Sequence, residues 1–226
     1  MSKHTLAGLS LSSSLVAAAG FQNGTDEGLI MEKFNQLLDS GMGVITLGSF
    51  TLPVNEGNEA KYGPPVYYYD SRQGKTYNSM GLANVGAEAA LRMAPSMVAK
   101  GHAQDKIIIF SGSPLGSLEH GTSVEQAYLL ARKFLDSPAD LVEINLSCPN
   151  VVTEEGGRKP VMGYDVESVT ELLEKVTNDL EVSRLGFKLP PYMSDEEQEL
   201  VSEIARLLNK VRPGFITVAN TIPGQV

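Results

Sequence analysis

The chain is poor in the residues that characterise secreted scaffolds, membrane spans and nucleic-acid-binding surfaces. Its 226 residues contain no tryptophan and a single cysteine, so an internal disulfide is excluded and the thiol fits a reducing compartment. No run of eighteen apolar residues is present, and no transmembrane helix is predicted. The net charge of -9 and the absence of basic clusters argue against nucleic acid and anionic membranes as partners. We therefore expect a cytoplasmic protein.

The N-terminal segment allows two interpretations. Lys3 precedes an apolar stretch and Ala17-Ala18-Ala19 resembles a cleavage site, as in a secretory signal peptide. Three serines interrupt that stretch, however, and residues 14–19 also have the composition of a first β-strand. We favour the strand.

The rest of the chain alternates short apolar runs with longer segments of helical periodicity. Strands are predicted at 14–19, 44–50, 107–111, 141–146, 185–189 and 215–219. Helices are predicted at 27–40, 85–100, 122–135, 166–180 and 195–210. The segment 52–84 is interpreted as a long irregular active-site loop with a turn at 56–58. Strands that are apolar throughout predict a parallel sheet covered by helices.

Polar residues at the strand ends favour a closed barrel over an open doubly wound sheet. An open sheet concentrates its site at one switch point, whereas a barrel collects its site from the ends of many strands. Such residues lie at or shortly after the end of every predicted strand, namely Gln22, Ser49, Ser111, Asn145, Lys188 and Asn220. The predicted fold class is therefore α/β, a (β/α)₈ TIM barrel. Only six of the eight strands are found, so we expect a fragment, an unusual closure or completion by partner chains.

The clearest candidate for chemistry is the end of the strand at 141–146. It runs into Ser147, Cys148, Pro149 and Asn150, so the only thiol lies in a polar loop past a buried strand. A lone cysteine is often a small buried hydrophobe, but its position here favours a reactive role. The sequence Asn-Leu-Ser-Cys-Pro-Asn at 145–150 resembles the signature of the class 1 dihydroorotate dehydrogenases, FMN enzymes of pyrimidine biosynthesis.

Five further motifs carry the same resemblance along almost the whole chain and in the family's order. They are Ala-Ala-Gly at 18–20, Glu-Gly-Asn at 56–58, Asn-Ser-Met-Gly-Leu at 78–82, Gly-Phe-Lys-Leu-Pro-Pro-Tyr at 186–192 and Ala-Asn-Thr at 219–221. The resemblance implies a single flavin-type (β/α) barrel domain over residues 1–226, with its C-terminal strands missing.

The resemblance also implies roles for individual residues. A hydride would pass from C6 of dihydroorotate to the flavin while Cys148, as catalytic base, removes the C5 proton. The implied substrate-binding residues are Asn78, Met80, Gly81, Leu82, Asn145, Asn150, Asn220 and Thr221. The implied FMN-binding residues are Ala18, Ala19, Gly20, Ser49, Asn78, Asn145, Lys188 and Ala219. Lys188 would stabilise the anion of reduced flavin, and no metal is expected.

Three features depart from the family pattern. Residues 46–49 read Thr-Leu-Gly-Ser, where the family has a lysine that touches flavin and substrate. The loop 151–164 is longer than the family's loop beside the cysteine. The glycine-rich loops that hold the flavin phosphate follow strands seven and eight, which are not found here.

These departures leave three functional hypotheses. The first is oxidation of dihydroorotate to orotate by a homodimer, with fumarate, a quinone or an NAD-linked subunit as electron acceptor. The second is a related flavin oxidoreductase acting on another dihydropyrimidine or an enoyl substrate. The third is an inactive, truncated homologue without flavin.

Overall fold

A computed structural model describes residues 4–64, 66–115, 120–148 and 161–220. The strands are β1 (Thr5–Leu6), β2 (Leu9–Ser10), β3 (Val16–Ala17), β4 (Val44–Phe50), β5 (Tyr67–Asp70), β6 (Lys75–Asn78), β7 (Ile107–Gly112), β8 (Leu141–Asn145), β9 (Leu185–Leu189) and β10 (Phe215–Val218). The α-helices are α1 (Glu27–Leu38), α2 (Gly57–Tyr62), α3 (Gly86–His102), α4 (Ser123–Leu135), α5 (Val166–Asp179) and α6 (Asp195–Val211).

The main sheet is a curled part of a parallel barrel. Its six strands lie in the order β10-β9-β8-β7-β4-β3, and each neighbouring pair is parallel. This order follows the chain without the reversal that an open doubly wound sheet has at its switch point. The predicted barrel class and the six predicted strands are thus confirmed.

The two faces of the sheet bury different residues. Outward-pointing side chains such as Phe110, Val142 and Phe187 pack beneath the helices in the larger hydrophobic core. Inward-pointing residues at the N-terminal ends of the strands form a second apolar cluster of Val44, Ile107, Ile109 and Leu141. The interior becomes polar one step further along the strands, where Thr46, Ser111 and Glu143 are buried. The polar end of the barrel is therefore its C-terminal end, where barrel enzymes carry their sites.

The predicted helices are confirmed to within two residues at each end, because their signals are local. Asp26 caps α1 by accepting a hydrogen bond from the Leu29 N–H at 2.7 Å. Thr122 and Ser194 each form a capping box with a glutamate three residues later, at the start of α4 and α6. Among the described residues, no helix has the length and apolar character needed to span a bilayer.

Near the N-terminus, the predicted strand 14–19 is shortened to Val16–Ala17, which pairs with β4 at the edge of the sheet. An antiparallel hairpin of β1 and β2, which was not predicted, precedes it. Leu6, Ala7 and Leu11 pack against the interior apolar cluster and cover the N-terminal end of the barrel. The hairpin strands have two residues each, too few for a periodic signal.

The prediction that residues 52–84 form an irregular loop is wrong. Residues 56–58 do not form an isolated turn, because Glu56 is the N-cap residue of α2. β5 and β6 then pair in an antiparallel hairpin, with Tyr67 opposite Asn78. The three prolines and the glycines of this segment obscured both elements, although Tyr67-Tyr68-Tyr69 has the aromatic composition typical of a strand.

Candidate active site

A cavity of about 230 Å³ opens at the C-terminal ends of the barrel strands. It is lined by side chains and backbone from the ends of several strands and from the loop after β6. The lining residues are Ala19, Gly20, Asn23, Gly48, Ser49, Asn78, Met80, Gly81, Leu82, Ala83, Asn145, Cys148, Lys188 and Asn220. In the described part of the chain, no group of three or more His, Cys, Asp or Glu side chains could hold a metal ion.

Most of the residues singled out from the sequence surround this one cavity. Ala18 and Ala219 do not line it, since both are exposed at the ends of edge strands. Asn150 and Thr221 lie outside the described residues, as does most of the long loop 151–164. Sequence reasoning missed Asn23, Gly48 and Ala83; the position of Asn23, just past the first strand, is the signal that identifies it as a candidate.

The wall formed by residues 80–82 offers backbone donors to the cavity. None of the N–H groups of Met80, Gly81 and Leu82 has a hydrogen-bond acceptor among the described residues. Gly81 and Leu82 both have a left-handed backbone, with φ of 66° and 58°. Successive backbone N–H groups in such turns form concave binding sites for anions. This wall is therefore suited to a carboxylate.

Three asparagines hold that wall in place. Asn55 donates to the carbonyl oxygens of Gly81 and Leu82 at 2.7 and 2.9 Å. Asn58 donates to the Ser79 carbonyl at 2.9 Å, and its backbone N–H donates to the Met80 carbonyl at 3.0 Å. Buried Asn84 accepts from the Thr51 and Gly86 N–H groups at 3.1 and 2.8 Å. The loop is thus anchored by side chains before any ligand binds.

Gly57 explains why the Glu-Gly-Asn motif accompanies this loop. A Cβ atom at Gly57 would lie 2.5 Å from the Met80 carbonyl oxygen and 2.7 Å from the Ala83 Cβ. Its φ of 75° is also unfavourable for residues other than glycine. The motif therefore lets α2 approach the cavity wall closely.

The cavity floor carries a buried cation. Lys188 exposes only 6% of its surface and is the sole charged residue among the described residues of the lining. No ion pair or hydrogen bond of its ammonium group occurs within the described part of the chain. Lys188 lines the cavity, so its ammonium group can donate to an anionic or carbonyl-bearing ligand there.

Asn145 lies beside Lys188 in the register of β8 and β9. Its Oδ1 accepts from the backbone N–H and the hydroxyl of Ser147 at 3.0 and 2.6 Å. Its Nδ2 donates to the Ser49 hydroxyl at 2.9 Å. Asn220 donates to the Ser147 hydroxyl at 2.9 Å and to its carbonyl at 3.1 Å. This network joins the ends of β4, β8 and β10 directly before Cys148, which is partly buried against the cavity.

Backbone packing leaves no room for a side chain at Gly48, within the segment 46–49. Gly48 has a φ of 104°, and a Cβ atom there would lie 2.5 Å from the Ser111 carbonyl oxygen. A side chain at this position would therefore strain the strand end.

Two tyrosines join the segment 163–164 to the segment 191–192. The Tyr164 hydroxyl donates to the Pro191 carbonyl at 2.5 Å, and the Tyr192 hydroxyl donates to the Gly163 carbonyl at 2.9 Å. The rings meet edge to face, with centroids 5.5 Å apart. Burial, reinforced by Tyr164 and by the negative charge of Glu197, raises the pKa of Tyr192 to about 12. Burial and Glu197 also raise the pKa of Tyr164, so both phenols remain hydrogen-bond donors at neutral pH.

Asn23 is fixed at the cavity rim by a lysine of α1. Lys33 donates to the Asn23 side-chain oxygen at 2.7 Å and to its carbonyl at 3.0 Å. The Asn23 amide nitrogen in turn contacts the Met80 sulfur. Because sulfur is a weak acceptor, a ligand oxygen would be a better partner for this amide.

Solved structures with the same fold superpose on nearly all of this chain. Old Yellow Enzyme from a Pichia species superposes with a TM-score of 0.60 at 11% identity, over 95% of this chain and 69% of that one. The structure described as TcOYE with pHBA gives a TM-score of 0.61 at 10% identity, over 95% and 73%. At such low identity the similarity concerns the barrel fold alone.

Sequence comparisons identify the family. Dihydroorotate dehydrogenase (fumarate) of Lachancea kluyveri is 31% identical over 84% of this chain and 54% of its own. Dihydroorotate dehydrogenase A (fumarate) of Lactococcus lactis subsp. cremoris is 31% identical over 86% and 55%. The chain thus spans little more than half the length of these relatives. The sequence model of the family described as dihydroorotate dehydrogenase matches residues 1–225, and the chain belongs to that family.

Proposed function

We propose that the protein oxidises dihydroorotate to orotate, with FMN as the hydride acceptor and Cys148 as the catalytic base. The observation that carries this proposal is the wall of donors at Met80, Gly81 and Leu82, on the same cavity as a thiol and a buried lysine. A planar ring with a carboxylate, two carbonyls and two N–H groups needs this combination of backbone donors and amides. The names of the relatives support the same substrate.

The substrate carboxylate is assigned to the backbone N–H groups of Met80, Gly81 and Leu82. The amides of Asn78, Asn145 and Asn220 are assigned to the ring carbonyl and N–H groups. Asn145 takes part as a donor, because its oxygen accepts two bonds from Ser147 and one N–H of its Nδ2 donates to Ser49. Asn150 and Thr221 are retained from the family motifs as further contacts. Asn23 adds an amide at the rim, held by Lys33.

Cys148 is assigned to proton removal at C5. As a thiolate it takes that proton while the C6 hydride leaves, so the ring gains its double bond and the thiol is re-formed. A thiol in water has a pKa of about 8.5, so the thiolate is the minor form at neutral pH. The reaction rate should therefore depend on pH through this group.

The residues at the cavity floor fit a flavin ring. Lys188 is a buried cation without a partner in the described residues. A Cβ atom built on Gly20 would have no atom within 4 Å, so the space beside this glycine is open. Ala19, Gly20, Ser49, Asn145 and Lys188 would hold the ring, and Ala18 and Ala219 would flank it. When bound, FMN supplies a two-electron acceptor for the hydride. Lys188 offers the positive charge that stabilises electron density arriving beside it.

Fumarate is the proposed final oxidant, since the named relatives are fumarate-type enzymes. We further propose that residues 1–226 belong to one (β/α) barrel domain and that the protein is a cytoplasmic homodimer, as the family resemblance implies. Sedimentation of the purified chain would measure the oligomeric state.

The test is an anaerobic titration of the purified, FMN-supplemented chain with dihydroorotate, followed by visible absorbance. We expect the flavin band to bleach, and we expect dihydrouracil, which lacks the carboxylate, to bleach it far more slowly. The matched control is Cys148→Ala, which should bind orotate but bleach slowly. Bound FMN that dihydroorotate leaves oxidised would contradict the proposed function.

A further inference from the structure

A line of hydrogen bonds runs from the barrel interior to the cavity floor. Glu143, only 3% exposed, accepts from the Ser111 hydroxyl at 2.8 Å. The Ser111 and Ser49 hydroxyl oxygens are 2.9 Å apart, and Asn145 donates to Ser49 at 2.9 Å. The second carboxylate oxygen of Glu143 accepts from the Thr217 hydroxyl at 2.7 Å. Glu143 is therefore connected to two cavity residues, Ser49 and Asn145, without lining the cavity itself.

The chemistry of the two ends fixes the direction of every bond in this line. The Ser147 backbone N–H can only donate, so the Asn145 oxygen faces it and the Asn145 nitrogen faces Ser49. Ser49 accepts from that nitrogen and gives its one proton to Ser111. Ser111 then gives its own proton to the carboxylate, which can only accept. The direction of the line thus requires a hydrogen-bond acceptor at position 143, to which the Ser111 hydroxyl can donate.

We propose that Glu143 is a positioning residue of this site. Because Glu143 accepts the last hydrogen bond, the hydroxyl groups of Ser111 and Ser49 both donate towards the barrel interior and not towards the cavity. A ligand on the cavity floor then meets donors from Asn145 and Lys188, while Ser49 offers it only a lone pair. These donors favour a ligand whose edge carries carbonyl oxygens. The inference rests on the proposed function only where it identifies this ligand as FMN.

Two substitutions at position 143 separate its hydrogen-bonding role from its charge. In Glu143→Gln the amide oxygen can still accept from Ser111 while its nitrogen donates to Thr217, so the line keeps its direction. In Glu143→Met no acceptor remains, and the Ser111 proton turns towards Ser49, whose own proton is released to the cavity. Thr217→Val is the matched control, because it removes the other partner of the carboxylate and leaves the line intact.

The first measurement needs no ligand. NMR spectra of protein with isotope-labelled asparagine show the side-chain amide signals of Asn145. These signals are assigned because they disappear in Asn145→Ala. We expect the signals of Glu143→Gln and Thr217→Val to coincide with those of the native protein and those of Glu143→Met to shift. Ser111→Ala, which breaks the line with a smaller change, should shift them as well and replaces Glu143→Met if that variant does not fold.

The second measurement is the dissociation constant for FMN. We expect an increase of about tenfold in Glu143→Met and Ser111→Ala, the effect of about one lost hydrogen bond, and less than threefold in Glu143→Gln and Thr217→Val. Equal effects of Gln and Met would overturn the inference, as would an unmoved Asn145 signal in Glu143→Met or Ser111→Ala. If the native protein fails to bind FMN, the proposed function fails instead, and the amide signals still decide the inference.

Discussion

The substitution Gly81→Ala tests whether the donor wall at residues 80–82 binds the substrate carboxylate. Gly81 has a φ of 66°, and an added Cβ would lie 2.5 Å from the side-chain amide of Asn58. Gly74, in the turn of the β5–β6 hairpin, has a nearly equal φ of 62° and no atom within 4 Å of such a Cβ. Gly74→Ala is therefore a control that adds the same backbone strain without the clash.

The structure gives the size of the expected difference. A left-handed alanine costs roughly 1–2 kcal/mol at either position. At Gly81 the methyl group must also displace the Asn58 amide, which donates to the Ser79 carbonyl and hydroxyl at 2.9 and 3.1 Å. Two such bonds contribute about 1–3 kcal/mol together. If the whole excess falls on binding, it corresponds to a loss of orotate affinity of roughly 5- to 150-fold in Gly81→Ala relative to Gly74→Ala.

Calorimetric titration of orotate into both variants measures this difference, and thermal denaturation checks that both are folded. A carboxylate-free analogue such as uracil provides the internal comparison. We expect Gly81→Ala to weaken orotate more than uracil, because the carboxylate is the group assigned to this wall. The reasoning is refuted if the two glycine variants bind orotate equally well, or if orotate and uracil lose the same affinity.

Three further predictions concern the base, the tyrosine pair and the buried cation. Turnover should rise between pH 7 and 9 as the Cys148 thiol ionises, and a flat profile with unchanged orotate binding would argue against this base. The raised pKa of Tyr192 means that its stabilising contribution is complete below about pH 10 and is lost as the pH rises through about 12. The ultraviolet tyrosinate titration of the native protein minus that of Tyr192→Phe should therefore show a group near pH 12, and a difference centred near 10 would contradict the assigned burial. Lys188→Met should slow anaerobic flavin reduction, measured by stopped-flow absorbance, by about 100-fold. A rate that falls by less than about threefold would contradict the role assigned to this cation.

What could be predicted from the sequence was local or carried by contiguous motifs. The helices follow from periodicity and from caps such as Thr122, because both act within a few residues along the chain. The parallel sheet follows from strands that are apolar throughout, since both of their faces are buried. The motifs around Asn78, Cys148 and Lys188 were visible in the same way, and the fold brings them to one cavity.

The remaining features depend on contacts between residues that are distant in the sequence. Asn58 supports Ser79 from 21 residues away, so the motif around Gly57 was mistaken for an isolated turn. The packing of β4 on β7 leaves no room for a Cβ atom at Gly48, a contact between two strands that the sequence does not reveal. Glu143 looked like one polar residue in an apolar strand, and the sheet brings to its carboxylate Ser111 from the neighbouring strand β7 and Thr217 from β10, two strands away. The sequence by itself determined the elements and the chemical groups of the site, and the tertiary structure decided their partners, because hydrogen bonds and close packing depend on distances in space.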